Sequence, residues 1–263
     1  MDVLLVERGL FPTRARARAA VMAGVVLVGG RVVDKPGTLV KPDVALTLKE
    51  DPLPYVSRGG LKLQAALDEF GIDVAGAVAL DVGASTGGFT DCLLSRGARL
   101  VFAVDVGKGQ LALKLRQDPR VVVLEGLNAR YLKLEDLGQR VDLACIDVSF
   151  ISALKILPAT RGVLKPRGRV LVLVKPQFEA GPRQVGKGGV VRDPRVHEEV
   201  LKSVCRGARA QDFVVRGLAP SPLRGPAGNL EFWLHLTRGG CDQVPDEIIH
   251  RVVWSQHRRD GEE

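Results

Sequence analysis

The chain has 263 residues, of which 46% are hydrophobic and 26% charged, and its formal net charge is +8. This length allows one large domain, or a small domain joined to a typical α/β domain, and the apolar content is sufficient for a core. No apolar run approaches the roughly 18 residues of a membrane helix, and the start Met1-Asp2 is acidic where a signal peptide is basic. We therefore expect a cytoplasmic protein.

The positive charge is concentrated in two parts of the chain. Residues 160–225 contain fourteen Lys and Arg against five Asp and Glu, and residues 1–60 contain nine against six. Both segments suit a polyanionic partner. A merely solvated basic surface is the alternative.

The four cysteines are far apart in sequence. They form no C-x-x-C motif and have no nearby histidine pair, so neither a zinc site nor a disulfide framework is indicated and no metal is expected. Cys92 and Cys145 lie in apolar patterns and are expected to be buried.

The first 50 residues are predicted to form a compact α+β unit. One helix begins near Val3 and ends at Gly9, and a second, Arg14–Met22, has Thr13 as its cap and Gly24 at its end. Three short strands follow, at Val25–Val28, Arg31–Val33 and Val44–Leu48. On the second helix Arg14 and Arg18 share a face, which is predicted to contact phosphate.

This stretch resembles the S4 RNA-binding domain. The matching positions are Leu4-Leu5, Gly9-Leu10, Thr13-Arg14, Ala23 to Gly30 and Val40 to Asp43, with Gly29-Gly30 where the family usually has Asn-Gly. The resemblance implies that residues 1–50 bind RNA.

After a proline-containing linker at 51–58, helices and strands alternate up to about residue 240. Helices are predicted at Leu61–Phe70, Thr90–Arg96, Gln110–Arg116, Ile151–Leu164 and Pro194–Gly207, and strands at Val78–Asp81, Leu100–Val104, Val121–Leu124, Leu143–Asp147, Arg169–Val174, Gln211–Leu218 and Glu231–Leu236. This alternation predicts a Rossmann-like α/β domain with a doubly wound, mostly parallel sheet over residues 59–240. Residues 241–263 form an acidic tail, either a helix packed on the body or an element that binds a partner.

A glycine turn between the first strand and helix of this domain is predicted to bind a nucleotide-like cofactor. The segment from Asp81 to Asp91 has the pattern G-x-x-x-G-G, opened by an acid, whereas a dinucleotide site would have G-x-G-x-x-G. The turn is similar to the S-adenosylmethionine motif of methyltransferases. The candidate cofactor residues in it are Asp81, Gly83, Ser85, Thr86, Gly87, Gly88, Phe89, Thr90 and Asp91.

Two polar residues extend this site at the ends of later strands. Asp105 ends the second strand, where a carboxylate can accept both ribose hydroxyls of an adenosine, although a solvated strand-end aspartate is the alternative. Asn128 follows the third strand and either contacts the adenine edge or forms a turn. The acids Asp81, Asp91 and Asp105 also suit a cationic sulfonium.

Four charged residues are candidates for catalysis, and three of them lie in apolar strand contexts at or near sheet ends, where charge is costly unless it is paired or functional. The four are Lys62, Asp147, Lys175 and Glu231. In this order and in their Ser-Arg-Gly-Gly-x-Lys and Val-Lys-Pro-Gln-Phe contexts, they resemble the Lys-Asp-Lys-Glu tetrad of FtsJ-like ribose 2′-O-methyltransferases. With the S4-like unit in front, residues 2–238 resemble the TlyA family, also called haemolysin A, whose members methylate cytidine 2′-hydroxyls in 16S and 23S ribosomal RNA.

The resemblance implies roles for these four residues. Lys175 is the candidate that orients and deprotonates the 2′-hydroxyl, and Asp147 and Glu231 hold Lys175 and Lys62 and balance their charge. Salt bridges without a catalytic role are the alternative. For Lys62, the alternative is a lysine that snorkels beside an apolar helix face.

Further basic residues are expected to contact the RNA. Arg58 precedes Lys62, and Arg183, Lys187 and Arg192 lie in a glycine-rich loop after Lys175. Phe178 either stacks on a flipped nucleotide or belongs to the core.

The function expected from these features is S-adenosylmethionine-dependent 2′-O-methylation of ribosomal RNA. A cytolysin, suggested by the older family name, is the first alternative, but no membrane-spanning pattern or export signal supports it. A catalytically inactive RNA-binding protein is the second alternative.

Overall fold

The computed structural model describes residues 1–22, 24–48 and 54–260. The chain divides into two compact units, Met1–Pro54 and Tyr55–Glu263. Ala23 of the S4-like pattern, the predicted boundary at residue 50, residues 51–53 of the predicted linker and residues 261–263 of the predicted tail lie outside the described residues.

The first unit packs two helices on a small antiparallel sheet. Its elements are α1 (Asp2–Glu7), α2 (Arg14–Met22), β1 (Val26–Val28), β2 (Arg31–Val32) and β3 (Leu46–Leu48), with sheet order β2-β1-β3. The Thr13 hydroxyl accepts a hydrogen bond from the Arg16 amide at 3.3 Å, so Thr13 caps α2 as predicted. Leu5, Ala17 and Val21 are fully buried between the elements.

The second unit is a seven-stranded sheet with helices on both faces. Its helices are α3 (Gly59–Glu69), α4 (Gly88–Ser95), α5 (Leu113–Arg116), α6 (Leu134–Leu137), α7 (Leu157–Val163), α8 (Pro176–Glu179), α9 (Pro194–Arg209) and α10 (Asp246–Asp260). Its strands are β4 (Val78–Val82), β5 (Leu100–Asp105), β6 (Val121–Glu125), β7 (Val141–Ile146), β8 (Leu164–Val174), β9 (Val214–Pro220) and β10 (Phe232–Thr237).

The strand order is β6-β5-β4-β7-β8-β10-β9. The first five strands are parallel, and β10 is antiparallel to both of its neighbours. Along β4, Val78, Leu80 and Val82 belong to one apolar cluster and Ala79 to the other, so each face of the sheet is covered by its own core. The doubly wound, mostly parallel fold predicted from the sequence is thereby confirmed.

Two predicted helices are much shorter than expected. In place of a helix over Ile151–Leu164, the chain has a 3₁₀ turn at Ala153–Lys155 and then α7. The helical turn begins only after Ser152, because the Glu179 carboxylate accepts the Ala153 amide at 2.8 Å and the Ser152 hydroxyl accepts the Leu154 amide at 3.2 Å.

The predicted helix Gln110–Arg116 begins only at Leu113, as α5. The Ala112 amide donates to the Thr86 carbonyl at 3.2 Å, and Ala112 has an extended backbone. This hydrogen bond holds Ala112 against the glycine turn, so residues 110–112 lie outside the helix.

The C-terminal tail is a helix packed on the body of the second unit. Val244, Ile249 and Val253 are at most 1% exposed in the same apolar cluster as α9. The Trp254 indole donates to the Glu198 carboxylate at 3.0 Å. Of the two alternatives for the tail, the packed helix is confirmed. Within the part of the chain that the structure describes, no helix is both long and apolar enough to span a membrane.

If α10 stabilises the second unit, Ile249→Ala will lower its free energy of unfolding by about 2–5 kcal/mol, the cost of a cavity in a core. Both tryptophans, Trp233 and Trp254, lie in this unit, so urea unfolding followed by tryptophan fluorescence measures the change. Arg251→Ala, at an exposed position of the same helix, is the matched control and is expected to change stability by less than about 0.5 kcal/mol. Equal stability of the two variants would contradict the packing role.

Candidate active site

The sheet brings the ends of its central strands together at one edge. Strands β4, β5, β7 and β8 run parallel, so their carboxyl ends share this edge. Because β10 runs the other way, its amino end lies there too. Phe232 is the register partner of Val174, and Glu231 before β10 therefore lies opposite Lys175 after β8.

Lys175 forms the first of two ion pairs at this edge. Its Nζ lies 2.6 Å from Asp147 Oδ1 and donates to the Ser149 hydroxyl at 3.0 Å. The side chain of Lys175 is only 12% exposed. Pro176 follows directly and begins α8, so β8 ends at a position that leaves the lysine at the strand terminus.

Lys62 forms the second ion pair and is more deeply placed. Its Nζ donates to Glu231 Oε2 at 2.6 Å, and the side chains are 10% and 1% exposed. Burial raises the pKa of Glu231, while the charges of Lys62 and Lys175 act in the opposite direction. The apolar face of α3 thus carries a buried, paired lysine and not a snorkelling one.

All four of these residues line one cavity of about 440 Å³. Residues of the glycine turn form another wall of this cavity. The lining residues from the turn are Gly83, Ala84, Ser85, Thr86, Gly88 and Phe89. Arg58, Arg224 and Pro226 also line this cavity.

Asp81 supports the glycine turn from within the protein. Its side chain is fully buried, and its Oδ2 accepts the Thr90 amide at 2.9 Å and the Thr90 hydroxyl at 2.7 Å. Asp81 Oδ1 is buried with no hydrogen-bond partner among the described residues. Burial, opposed by the bonds from Thr90, raises the pKa of Asp81 to about 7.

At two positions of the turn, only glycine fits, because a side chain would clash with neighbouring atoms of the protein. A Cβ on Gly83, where φ is +87°, would lie 2.2 Å from the Asp147 carbonyl oxygen, and one on Gly88 would lie 2.2 Å from the Ser57 hydroxyl. Gly87 is packed against Leu111 and Leu115. These glycines therefore bring the turn against β7 and α3.

A second cavity, of about 450 Å³, lies beside the first. The two share Gly83, Ser85 and Asp147 in their linings. In the second cavity, Asp105 accepts the Ser85 and Gly107 amides at 2.7 Å each. A carboxylate has about four acceptor sites, so two remain for a ligand.

Asn128 also lines the second cavity, and it forms a turn as well. Its Oδ1 accepts the Arg130 amide at 3.1 Å and so caps the 3₁₀ turn Ala129–Tyr131, while its amide NH₂ is not used in that cap. Asp91 is placed differently, because it pairs with Lys114 at 2.8 Å and accepts the Val56 amide. Asp91 therefore ties α4 to its neighbours and does not line either cavity.

The predicted RNA contacts divide between the two units. In the second unit Arg58 lines the tetrad cavity, and Arg183, Lys187 and Arg192 are exposed on the loop before α9. In the first unit Arg18 is exposed, whereas Arg14 pairs with Asp2 at 3.0 Å and lowers the pKa of that carboxyl.

Sequence reasoning missed Phe150, which is 91% exposed and has a left-handed backbone with φ of +64°. Its ring lies 5.0 Å from that of Phe178, and it lines the second cavity. No sequence pattern indicated this conformation. Val106 and Leu127, two apolar lining residues, were within reach of prediction because they adjoin Asp105 and Asn128.

Comparison with known proteins identifies both units. Residues 55–238 match the family model of the FtsJ-like methyltransferases, and residues 1–45 match that of the S4 domain.

Several relatives match nearly the whole chain. The 16S/23S rRNA (cytidine-2′-O)-methyltransferase TlyA of Mycobacterium tuberculosis is 49% identical, with 96% of each chain covered. Hemolysin A of Brachyspira hyodysenteriae is 39% identical over 89% of this chain and 98% of its own. A solved structure of a proposed hemolysin from Streptococcus thermophilus is 47% identical to this chain and has a TM-score of 0.80. The match covers 100% of this chain and 98% of that protein's chain.

Asp81 predicts a specific pH dependence of stability. Its pKa is about 7 in the folded protein, above the ordinary value of 3.8, so its contribution is fully present below about pH 4 and is lost as the pH rises through 7. Asp81→Asn does not titrate. Between pH 5 and 8, the wild type is therefore expected to lose on the order of 3 kcal/mol relative to the variant.

Urea unfolding followed by tryptophan fluorescence, in steps of one pH unit, measures this difference. Any pH-independent effect of the new amide on the free energy of unfolding shifts the variant's curve of stability against pH without changing its slope. Parallel curves for the two proteins would show that Asp81 does not titrate in this range.

Proposed function

The chain belongs to the FtsJ-like methyltransferase family and carries an S4 domain, and from this premise we propose that it methylates ribose 2′-hydroxyls of cytidines in ribosomal RNA, using S-adenosylmethionine. The observation that carries the proposal is the position of the Lys175–Asp147 ion pair. Asp147 lines both cavities, so this pair stands where a cofactor in one cavity would meet a substrate in the other. A ribosomal substrate implies a cytoplasmic location.

The second cavity fits the adenosine part of the cofactor. The two unused acceptor sites of Asp105 suit a pair of ribose hydroxyls, and the NH₂ group of Asn128 suits an acceptor on the adenine edge. Val106 and Leu127 supply apolar walls for a flat base. The buried Oδ1 of Asp81, which has no hydrogen-bond partner among the described residues, lies beneath the glycine turn.

S-adenosylmethionine, when bound, supplies the electrophilic methyl group. The task of the protein is to make a weakly acidic 2′-hydroxyl nucleophilic and to remove its proton. Lys175 Nζ in its neutral form accepts that proton, and Asp147 stabilises the resulting ammonium at 2.6 Å.

The second ion pair keeps the remaining charges of the cavity balanced. Glu231 neutralises Lys62 at 2.6 Å, so the buried lysine does not stand as an isolated charge beside Lys175. Lys62 and Glu231 are therefore assigned to electrostatic support.

Binding of the RNA draws on both units. The exposed face of α2 with Arg18 suits the phosphate backbone, as do Arg183, Lys187 and Arg192 of the second unit. Phe178, whose ring centroid lies 6.0 Å from Lys175 Nζ, offers an aromatic face close to the tetrad, and single bases are commonly stacked on such faces. This arrangement suits a target nucleotide turned out of structured RNA.

An inactive RNA-binding protein is disfavoured by the same geometry. Four buried or half-buried charges in two close ion pairs line a cavity next to the glycine turn. A protein that only binds RNA has no need of that arrangement.

Asp105→Asn tests the cofactor site. The amide keeps the size of the side chain but offers only one acceptor oxygen, so a charged hydrogen bond to ribose is lost. Isothermal titration is expected to give a Kd for S-adenosylmethionine raised about tenfold or more, equivalent to about 1.4 kcal/mol. Asp118→Asn, at a half-buried position outside both cavity linings, is expected to bind like the wild type. An unchanged Kd for Asp105→Asn would remove Asp105 from the cofactor site.

Lys175→Met tests the chemistry. The variant keeps the bulk of the side chain but has no group to accept a proton, so transfer of labelled methyl to ribosomal subunits is expected to slow by about 10²- to 10⁴-fold. Its affinity for S-adenosylmethionine should stay within about twofold, since a proton acceptor contributes little to ground-state binding.

A matched control lies on the same strand. Lys165, at the other end of β8, also pairs with an aspartate, Asp142, at 2.7 Å, and Lys165→Met is expected to keep methyl transfer. Full activity of Lys175→Met would exclude Lys175 as the base. Mass-spectrometric mapping of ribose methylation in 16S and 23S RNA, after reaction with the wild type, identifies the target nucleotide. No methylated ribose in either RNA would exclude the proposed function.

A further inference from the structure

The loop between α8 and α9 carries exposed cations and is fastened by one buried amide side chain. Asn229 is 1% exposed, its Oδ1 accepts the Val191 amide at 2.9 Å, and its Nδ2 donates to the Gly189 carbonyl at 2.9 Å. Val191 is itself 2% exposed. Asn229 therefore fixes the end of a loop whose tip reaches into solvent.

The tip of this loop has few other attachments. Three backbone bonds stay within the loop, from the Gln184 amide to Gly181, from the Gly186 amide to Val190 and from the Gly189 amide to Gly186. A surface hydrogen bond joins Gln184 to Glu199 at 3.0 Å. The two bonds from Asn229 tie the Gly189–Val191 segment to the turn beside the tetrad.

Asn229 also belongs to the turn that positions Glu231. In this turn, residues 221–229, the Gly225 amide donates to the Asn229 carbonyl at 2.9 Å, and the Ser221 amide donates to the Glu231 carbonyl at 2.8 Å. A Cβ on Gly225 would lie 2.5 Å from Glu231 Oε1. The turn therefore packs directly against the carboxylate that pairs with Lys62.

We infer that Asn229 is a positioning residue that couples the seating of the basic loop on RNA to the placement of Glu231 in the tetrad. This inference rests on the proposed function for its RNA ligand. The asparagine side chain suits the role because it presents one donor and one acceptor without charge, which matches the free N–H of Val191 and C=O of Gly189. Because Val191 is buried, leaving its amide unpaired is costly.

Asn229→Ala is the first test. With the loop released, the KM for ribosomal subunits is expected to rise about tenfold, while kcat falls by a smaller factor. The affinity for S-adenosylmethionine should remain within about twofold, because Asn229 does not line the second cavity. Hydrogen exchange at the Val191 amide should become faster. A variant that only loses folded protein would show a lower kcat with the KM unchanged, and that result would overturn the inference.

Two further variants control for a general loss of stability in Asn229→Ala. Thr160→Ala removes another hydrogen-bonding side chain that is 1% exposed, at 3.1 Å from the Ile156 carbonyl in α7, and is expected to leave the KM unchanged. Asn229→Asp keeps the size and the acceptor but loses the donor to Gly189, and it replaces the alanine variant if that protein does not fold. The KM of Asn229→Asp should rise in the same direction.

A double-mutant cycle tests the coupling itself. If Asn229 acts through the loop, combining Asn229→Ala with Arg183→Ala and Lys187→Ala should raise the KM no further than the loop variants alone. Fully multiplicative effects would overturn the coupling while leaving the proposed function intact. Failure of the proposed function is distinguishable, because the wild type would then transfer no methyl to subunits. In that case, hydrogen exchange at the Val191 amide would test the inference. An exchange rate in Asn229→Ala equal to that of the wild type would refute it.

Discussion

The candidate active site depends on the antiparallel pairing of β10 with β8. Because Phe232 is opposite Val174, Glu231 and Lys175 meet at the edge where the parallel strands end, although they are distant in sequence. A slip of one residue in this register would turn alternate side chains to the other face of the sheet. The fully buried Phe232 and Val174 at this pairing hold the register, so core packing determines the geometry of the charges.

The electrostatic arrangement follows from the cost of burying charge. Moving a single ion into the protein costs several kcal/mol, and breaking a buried pair by removing one partner costs about 3–5 kcal/mol. Here two lysines face two carboxylates, each pair at 2.6 Å. The set is neutral as a whole, which allows a cavity to hold four charges.

The sequence was sufficient for the elements whose signals are local. The apolar strands, the cap at Thr13 and charges just beyond strand ends such as Lys175 were found because each is encoded within a few residues. The predicted helix Ile151–Leu164 failed because its start is set by the distant Glu179 carboxylate. Asn229 and Phe150 were missed for the same kind of reason, since a buried amide and a left-handed backbone take their meaning from tertiary contacts.

The distribution of charge along the chain matches the opposite charges of the two proposed ligands. The segment 61–159, which holds the glycine turn and Asp105, has twelve acidic residues against eleven basic ones, whereas residues 160–225 are strongly basic. A cationic cofactor and a polyanionic RNA are thus served by different stretches of one domain. Contacts to phosphate act equally on ground state and transition state, so they set the affinity for RNA. In the proposed mechanism, the rate therefore depends on the paired charges around Lys175.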